Sequence, residues 1–176
     1  MQKRQEKYDM KAEGKQVQTY YLEMLSKERF LSSPLPDEMS IVEIVHEQPE
    51  FNQFLYAFIG KQWHWTDKLT WTLRQWQQYL ATCKIRTWVA YVDGAIAGYY
   101  ELSLQNAGNV ELTYFGLAPS FIGKGYGSPL LSQAIESAWS IHSAKRVWVH
   151  TCSLDHPHAL NNYQKRGFNL YRTEVE

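Results

Sequence analysis

Cysteine is scarce in this sequence: Cys83 and Cys152 stand alone in 176 residues. They are far apart and fit no metal-ligand spacing. They leave open one disulfide, or two reduced thiols as a cytosolic chain would keep them. Neither charge is in excess. Eighteen Lys and Arg balance eighteen Asp and Glu, so no general affinity for nucleic acid or an anionic membrane surface is implied. No apolar run approaches the ~20 residues of a membrane span. The polar N-terminus lacks the apolar stretch of a secretory signal, which makes cytoplasmic the expected location. Repeats and low-complexity tracts are also missing. The length suits one substantial core and is short for two domains. What the chain has in quantity is aromatic: 7 Trp and 12 Tyr.

Met1–Gln16, dominated by Lys, Arg, Glu and Gln, reads as a frayed or weakly helical segment. Val17–Met24 reads as a strand with Tyr20, Leu22 and Met24 on one face. It could extend a sheet or pair across a homodimer. Ile41–Val45 is strand-like. Pro49 opens a helix whose apolar stripe is Phe51, Phe54, Leu55, Phe58 and Ile59. Gly60–Leu69 is a loop carrying Trp63-His64-Trp65. A second helix spans about Thr72–Ala81, with Leu73, Trp76 and Leu80 inward. Thr87–Val92 and Ala95–Leu104 are strands joined by Asp93-Gly94, a strong hairpin signal. A strand over Val110–Leu117, a helix over Leu130–Ile141 and a strand over Arg146–Cys152 follow. A helix over Ala159–Arg166, closed by Gly167, leads to a last strand over Phe168–Thr173. This order predicts an α/β (α+β) fold: a mixed, mostly antiparallel central sheet flanked by helices on both sides.

Between the Val110–Leu117 strand and the following helix lies Gly123-Lys124-Gly125-Tyr126-Gly127-Ser128. Alternating glycines let a backbone turn tightly and approach a ligand. A helix N-terminus just beyond them points N–H groups and partial positive charge into the turn, as phosphate binding requires. The turn lacks the Gly-Lys-Ser/Thr ending of a P-loop and the acidic ribose partner of a dinucleotide fold.

Two segments together resemble the GNAT acyltransferase family. One is Glu111–Pro119 followed by Ile122-Gly123-Lys124-Gly125-Tyr126-Gly127, similar to the acetyl-CoA-binding motif. The other is His158–Phe168, similar to the second signature, whose helix ends in Tyr-x-Lys-x-Gly-Phe. The resemblance covers roughly residues 40–175 and implies one acetyltransferase domain over 17–176 with acetyl-CoA as acyl donor. It places Phe115, Leu117, Gly123, Lys124, Gly125, Tyr126, Gly127, Ser128 and His156 at the donor. Two departures point to a bacterial-type branch. Ile122 replaces the usual Arg or Gln, which throws pyrophosphate binding onto backbone N–H groups and Lys124. His156 stands where the second motif often begins with Asn.

Direct transfer from a thioester to a primary amine needs a deprotonated amine, an oxyanion donor and a proton for the thiolate. A Lys-like amine has a pKa of about 10.4, so it must lose a proton to react. The resemblance implies Tyr163 as acid, since a phenol of pKa about 10 stays protonated at pH 7; packing alone is the competing reading. Glu111 is the candidate base, against an ordinary salt-bridged carboxylate, and His150 is its rival. Strict alternation puts Glu111, Thr113, Phe115 and Leu117 on one face, opposite Leu112, Tyr114 and Gly116. The resemblance places a backbone N–H near Phe115–Leu117 at the oxyanion. Trp63, His64, Trp65 and Tyr114 would shape the acceptor pocket, with an aromatic core as the alternative for the Trp-His-Trp run. His156 and His158 without a third ligand do not make a metal site. Cys152 without a His–Asp arrangement is a small hydrophobe, not a nucleophile. The expected function is acetyl-CoA-dependent N-acetylation of a small-molecule or peptide amine. A non-catalytic acyl-CoA-sensing domain is the alternative.

Overall fold

The computed structural model describes residues 16–63 and 65–175. The expected frayed segment therefore lies outside the described residues apart from Gln16, as does His64. The strands are β1 (Gln18–Met24), β2 (Met39–Glu43), β3 (Ile85–Val92), β4 (Ala95–Leu104), β5 (Asn109–Leu117), β6 (Arg146–Cys152) and β7 (Asn169–Val175). The helices are α1 (Pro49–Gly60), α2 (Leu73–Thr82), α3 (Gly127–Ser140) and α4 (Ala159–Lys165).

All seven strands form one sheet, in the order β2-β3-β4-β5-β6-β1-β7. Every pairing is antiparallel except β5 with β6. Asp93 and Gly94 close the β3–β4 hairpin with φ of 50° and 79°, the paired left-handed geometry a two-residue turn demands. β1 does not lie at an edge. It is threaded between β6 and β7, with Leu22 opposite both Val149 and Leu170. Both of its edges are filled by its own chain, so it has none to offer a second copy.

The larger core lies under α3, where Leu130, Leu131, Ala134, Ile135 and Ala138 pack against Leu22, Met24, Leu102, Leu112, Val147 and Val149. Each fully buried aliphatic side chain contributes about 1.5–3 kcal/mol. α1 and α2 cover the other face around Leu55, Ile59, Val89 and Tyr99. A Cβ on Gly116 would come within 2.7 Å of Ile59, so this glycine lets α1 approach β5 closely.

Three expectations need correction. The buried face of α1 is Asn52, Leu55, Tyr56 and Ile59. Phe54 and Phe58, expected inward, are 48% and 39% exposed and stack on each other outside. The helix is rotated because Asn52 is drawn in to bond Thr87 and Glu101. Leu73 of α2 is also exposed, because it is the first helical residue after the Thr72 capping box, at the rim of the packed face. Finally, α3 starts at Gly127, so the helix begins inside the glycine turn.

Candidate active site

The parallel pairing of β5 with β6 is short. It runs through Asn109–Arg146, Val110–Val147 and Glu111–Trp148 and then stops. Beyond that point the two strands line opposite sides of a cleft of about 1000 Å³. A strand that loses its neighbour keeps a row of backbone donors and acceptors along that edge. An extended, amide-bearing ligand can pair there as a strand would.

The cleft runs down to the glycine turn. Gly123 and Gly125 have φ of 77° and 90°, and a Cβ on either would meet nothing within 4 Å. These glycines serve the backbone conformation, not close packing. The first turn of α3 has no side-chain cap: Tyr126 occupies the N-cap position without bonding the helix. Gly127 and Ser128 of that turn line the cleft and can offer their N–H groups to an anion, while Pro129 has none to offer. Ser128 Oγ donates to Asn162 Oδ1 at 3.1 Å, tying the start of α3 to α4. These features fit a pyrophosphate at the turn and an extended pantetheine arm along β5.

The expected donor residues divide. Phe115, Leu117, Gly123, Gly125, Gly127, Ser128 and His156 line the cleft, together with Ile122. Lys124 and Tyr126 do not. Lys124 lies 5.5 Å over the Phe121 ring, and the Tyr126 hydroxyl turns away to Glu38 at 3.0 Å. Tyr163 also lines the cleft, buried between Phe115 and Phe168. Burial raises its phenol above the ordinary value, so it holds its proton at neutral pH. Among the described residues no group of three His, Cys, Asp or Glu stands together as a metal site. Likewise, no helix is long and apolar enough to cross a membrane.

The simple alternation expected of β5 fails at Thr113. Glu101 pairs with Tyr114 but Leu102 pairs with Leu112, so Thr113 is the extra residue of a β-bulge. Val110, Leu112, Phe115 and Leu117 consequently share the α3 face, and Tyr114 packs with the α1 cluster. Glu111 therefore lies on the face of Tyr114, not of Phe115. Its carboxylate is not part of the cleft wall. It accepts from Gln105 Nε2 at 2.7 Å and stands 3.4 Å from His150 Nδ1, and His150 does line the cleft.

The opposite wall carries Trp65 and Tyr114, both expected at the acceptor pocket, with Tyr56, Asp67 and Lys68, and behind it lies a buried polar network that sequence reasoning missed. Glu101 is fully buried mid-sheet. Its carboxylate accepts from Asn52 Nδ2 at 2.8 Å and from the Tyr79 hydroxyl at 2.9 Å. Burial raises its pKa, against the pull of these donors and of Lys68. Lys68 Nζ lies 4.8 Å from the ring centroids of Trp71, Tyr79 and Tyr114, 5.9 Å from that of Tyr56, and 2.5 Å from the Tyr114 hydroxyl. Desolvation lowers the Lys68 pKa, opposed by Glu101 and Asp67. Trp65 joins this wall, 4.9 Å from Tyr114 and 5.7 Å from Tyr56, as both core and cleft lining. Trp63 reaches across to His156, ring centroids 5.2 Å apart. One signal was available: a lone Glu within the apolar run of β4.

Comparison with known proteins adds three findings. No curated protein matches the chain. Among solved structures it is similar to a GCN5-related N-acetyltransferase from Kribbella flavida, at 15% identity and a TM-score of 0.65, over 96% of this chain and 61% of that one. It is similar to a tandem GNAT protein from the clavulanic acid biosynthesis pathway, at 15% identity and TM-score 0.67, over 97% of this chain and 56% of that one. A spermidine N-acetyltransferase from Vibrio cholerae, solved with CoA and spermine, matches at 16% identity and TM-score 0.60, over 76% of this chain and 82% of that one. The chain thus spans a little over half the length of the first two. These likenesses carry the fold. A family model described as acetyltransferase (GNAT) family matches residues 42–168, most of the chain. The chain belongs to the GNAT family of acetyltransferases.

Proposed function

We propose that this chain is an acetyl-CoA-dependent N-acetyltransferase that passes the acetyl group directly to a primary amine in a ternary complex. The supporting observation is the early end of the β5–β6 pairing, which opens a backbone-lined slot leading to the uncapped start of α3. Pantetheine amides pair with β5 beyond Glu111. The pyrophosphate rests on N–H groups of the Gly123–Ser128 turn. A backbone N–H near Phe115–Leu117 receives the developing oxyanion.

Tyr163, on the cleft wall, donates a proton to the departing thiolate. The acceptor's proton leaves to the Glu111–His150 pair. Here the carboxylate, 3.4 Å from Nδ1, orients the imidazole. Trp65 and Tyr114 wall the acceptor side.

Thiol release from acetyl-CoA across an amine panel tests the reading. Tyr163→Phe and Glu111→Gln should each lower kcat by about a hundredfold, the lower range for a lost acid or base, with acetyl-CoA affinity retained. Unchanged turnover in both variants would overturn the assignment. Binding of acetyl-CoA without acetylation of any amine would instead favour a sensing domain.

A further inference from the structure

We propose that Lys68 is itself an acetyl acceptor, a self-modification site held at the acceptor wall of the cleft. The inference rests on the acetyltransferase reading above and extends it to the chain's own amine. Lys68 and Lys165 are the lysines that line the cleft among the described residues. Lys165 is exposed on α4, whereas the Lys68 amine is drawn into a cage of four aromatic rings.

Three physical features favour reaction at Lys68. Its amine is bonded to the hydroxyl of Tyr114, the residue next to Phe115 on β5, where the thioester carbonyl is expected. Tyr114 and Phe115 point to opposite faces of the sheet, so the amine must swing off the Tyr114 hydroxyl to reach the cleft edge of β5, a movement that a flexible stem of four methylenes allows. The second feature is that an amine taken out of water loses its proton more easily, and burial acts on Lys68 in that direction. The third is delivery. The 65–72 segment that carries Lys68 is fixed by Lys68 N–H donating to the Tyr56 hydroxyl at 3.3 Å and by Gln53 Nε2 donating to the Trp71 carbonyl at 3.1 Å. Such anchoring fixes the backbone from which the Lys68 side chain extends beside the cleft and raises the effective concentration of its amine there.

The step is an ordinary acyl transfer. The neutral Nζ attacks the thioester carbon, the C–N bond forms and the C–S bond breaks. The nitrogen gives up one proton and the thiolate gains one, leaving Nε-acetyl-Lys68 and free CoA thiol. The product is uncharged, so Glu101 loses its neighbouring cation.

The test is to incubate the whole chain with acetyl-CoA and no added amine, followed by intact mass and peptide mapping. The expected result is a gain of one acetyl group at Lys68, ahead of exposed Lys27, Lys61, Lys84 and Lys145, and its loss in Lys68→Arg. Tyr163→Phe should slow it to the same degree as transfer to an added amine. Transfer to an added amine with Lys68 left bare would overturn the proposal and leave the acetyltransferase reading intact. Acetylation spread over the exposed lysines and persisting in urea would mark uncatalysed chemistry and overturn it too. Failure to bind acetyl-CoA by calorimetry would remove the reading on which it rests.

Discussion

The two walls of the cleft are built from different materials. The wall proposed for the donor is mostly backbone: the open edge of β5, two glycines at positive φ and an uncapped helix start. The wall proposed for the acceptor is mostly side chains, Tyr56, Trp65, Asp67, Lys68 and Tyr114, backed by the buried Glu101 network. Backbone recognition tolerates sequence change so long as the turn survives. A side-chain network fails when one member is lost. Under the proposed function, the backbone wall would hold the donor and the side-chain wall the acceptor.

The sharpest break in this comparison should come from Glu101→Ala. It leaves Asn52, Tyr79 and Lys68 without the carboxylate, and removing one partner of a buried charged group costs about 3–5 kcal/mol. A denaturant titration reads the loss. A cost below about 0.5 kcal/mol, typical of a surface change, would show the wall is not a coupled network.

Gly125→Ala should do the reverse, sparing the fold and weakening the donor. A non-glycine residue in the left-handed region costs about 1–2 kcal/mol. Nothing packs on Gly125, so the turn relaxes and the cost appears in acetyl-CoA binding, about tenfold in Kd by calorimetry. A large fall in Tm with binding intact would contradict the division.

Smaller again is Ile122→Arg, which adds a guanidinium beside the glycine turn. At the strength of an exposed ion pair, up to about 1 kcal/mol, affinity for acetyl-CoA should rise up to about fivefold and fall back in high salt. Unchanged or weaker binding would mean the pyrophosphate is not at this turn.

The smallest effect concerns pH. The folded Glu101 holds its proton more tightly than the unfolded chain, whose ordinary value is 4.5. Its contribution to stability is full below 4.5 and is lost as pH rises through the higher folded value. Tm measured along a pH series should show this decline in the wild type and a flatter profile in Glu101→Gln. Identical profiles would place the acid–base behaviour of the wall elsewhere.

The same division explains what the sequence disclosed. The Asp93-Gly94 hairpin, the glycine turn and the Gly167 helix stop are local: each is written in two or three adjacent residues whose φ values admit few alternatives. The bulge at Thr113 is not local. It exists only in the register between β4 and β5, so alternation along β5 alone put Glu111 on the wrong face. The inward turn of Asn52 depended on Thr87 and Glu101, far along the chain, and its cost was the exposure of Phe54 and Phe58. The caged Lys68 required five separated residues to meet.

The threading of β1 between β6 and β7 has a consequence in time. Its partners lie near the opposite end of the sequence, as in Thr19 with Cys152 and Gln18 with Val175. At about 5–20 residues per second, synthesis leaves β1 waiting roughly seven to thirty seconds for them. Throughout that interval Leu22 and Met24, fully buried in the finished protein, have no sheet to enter. The centre of the molecule can assemble as it is made, but this corner closes last. During synthesis it is therefore where a chaperone has most to shield.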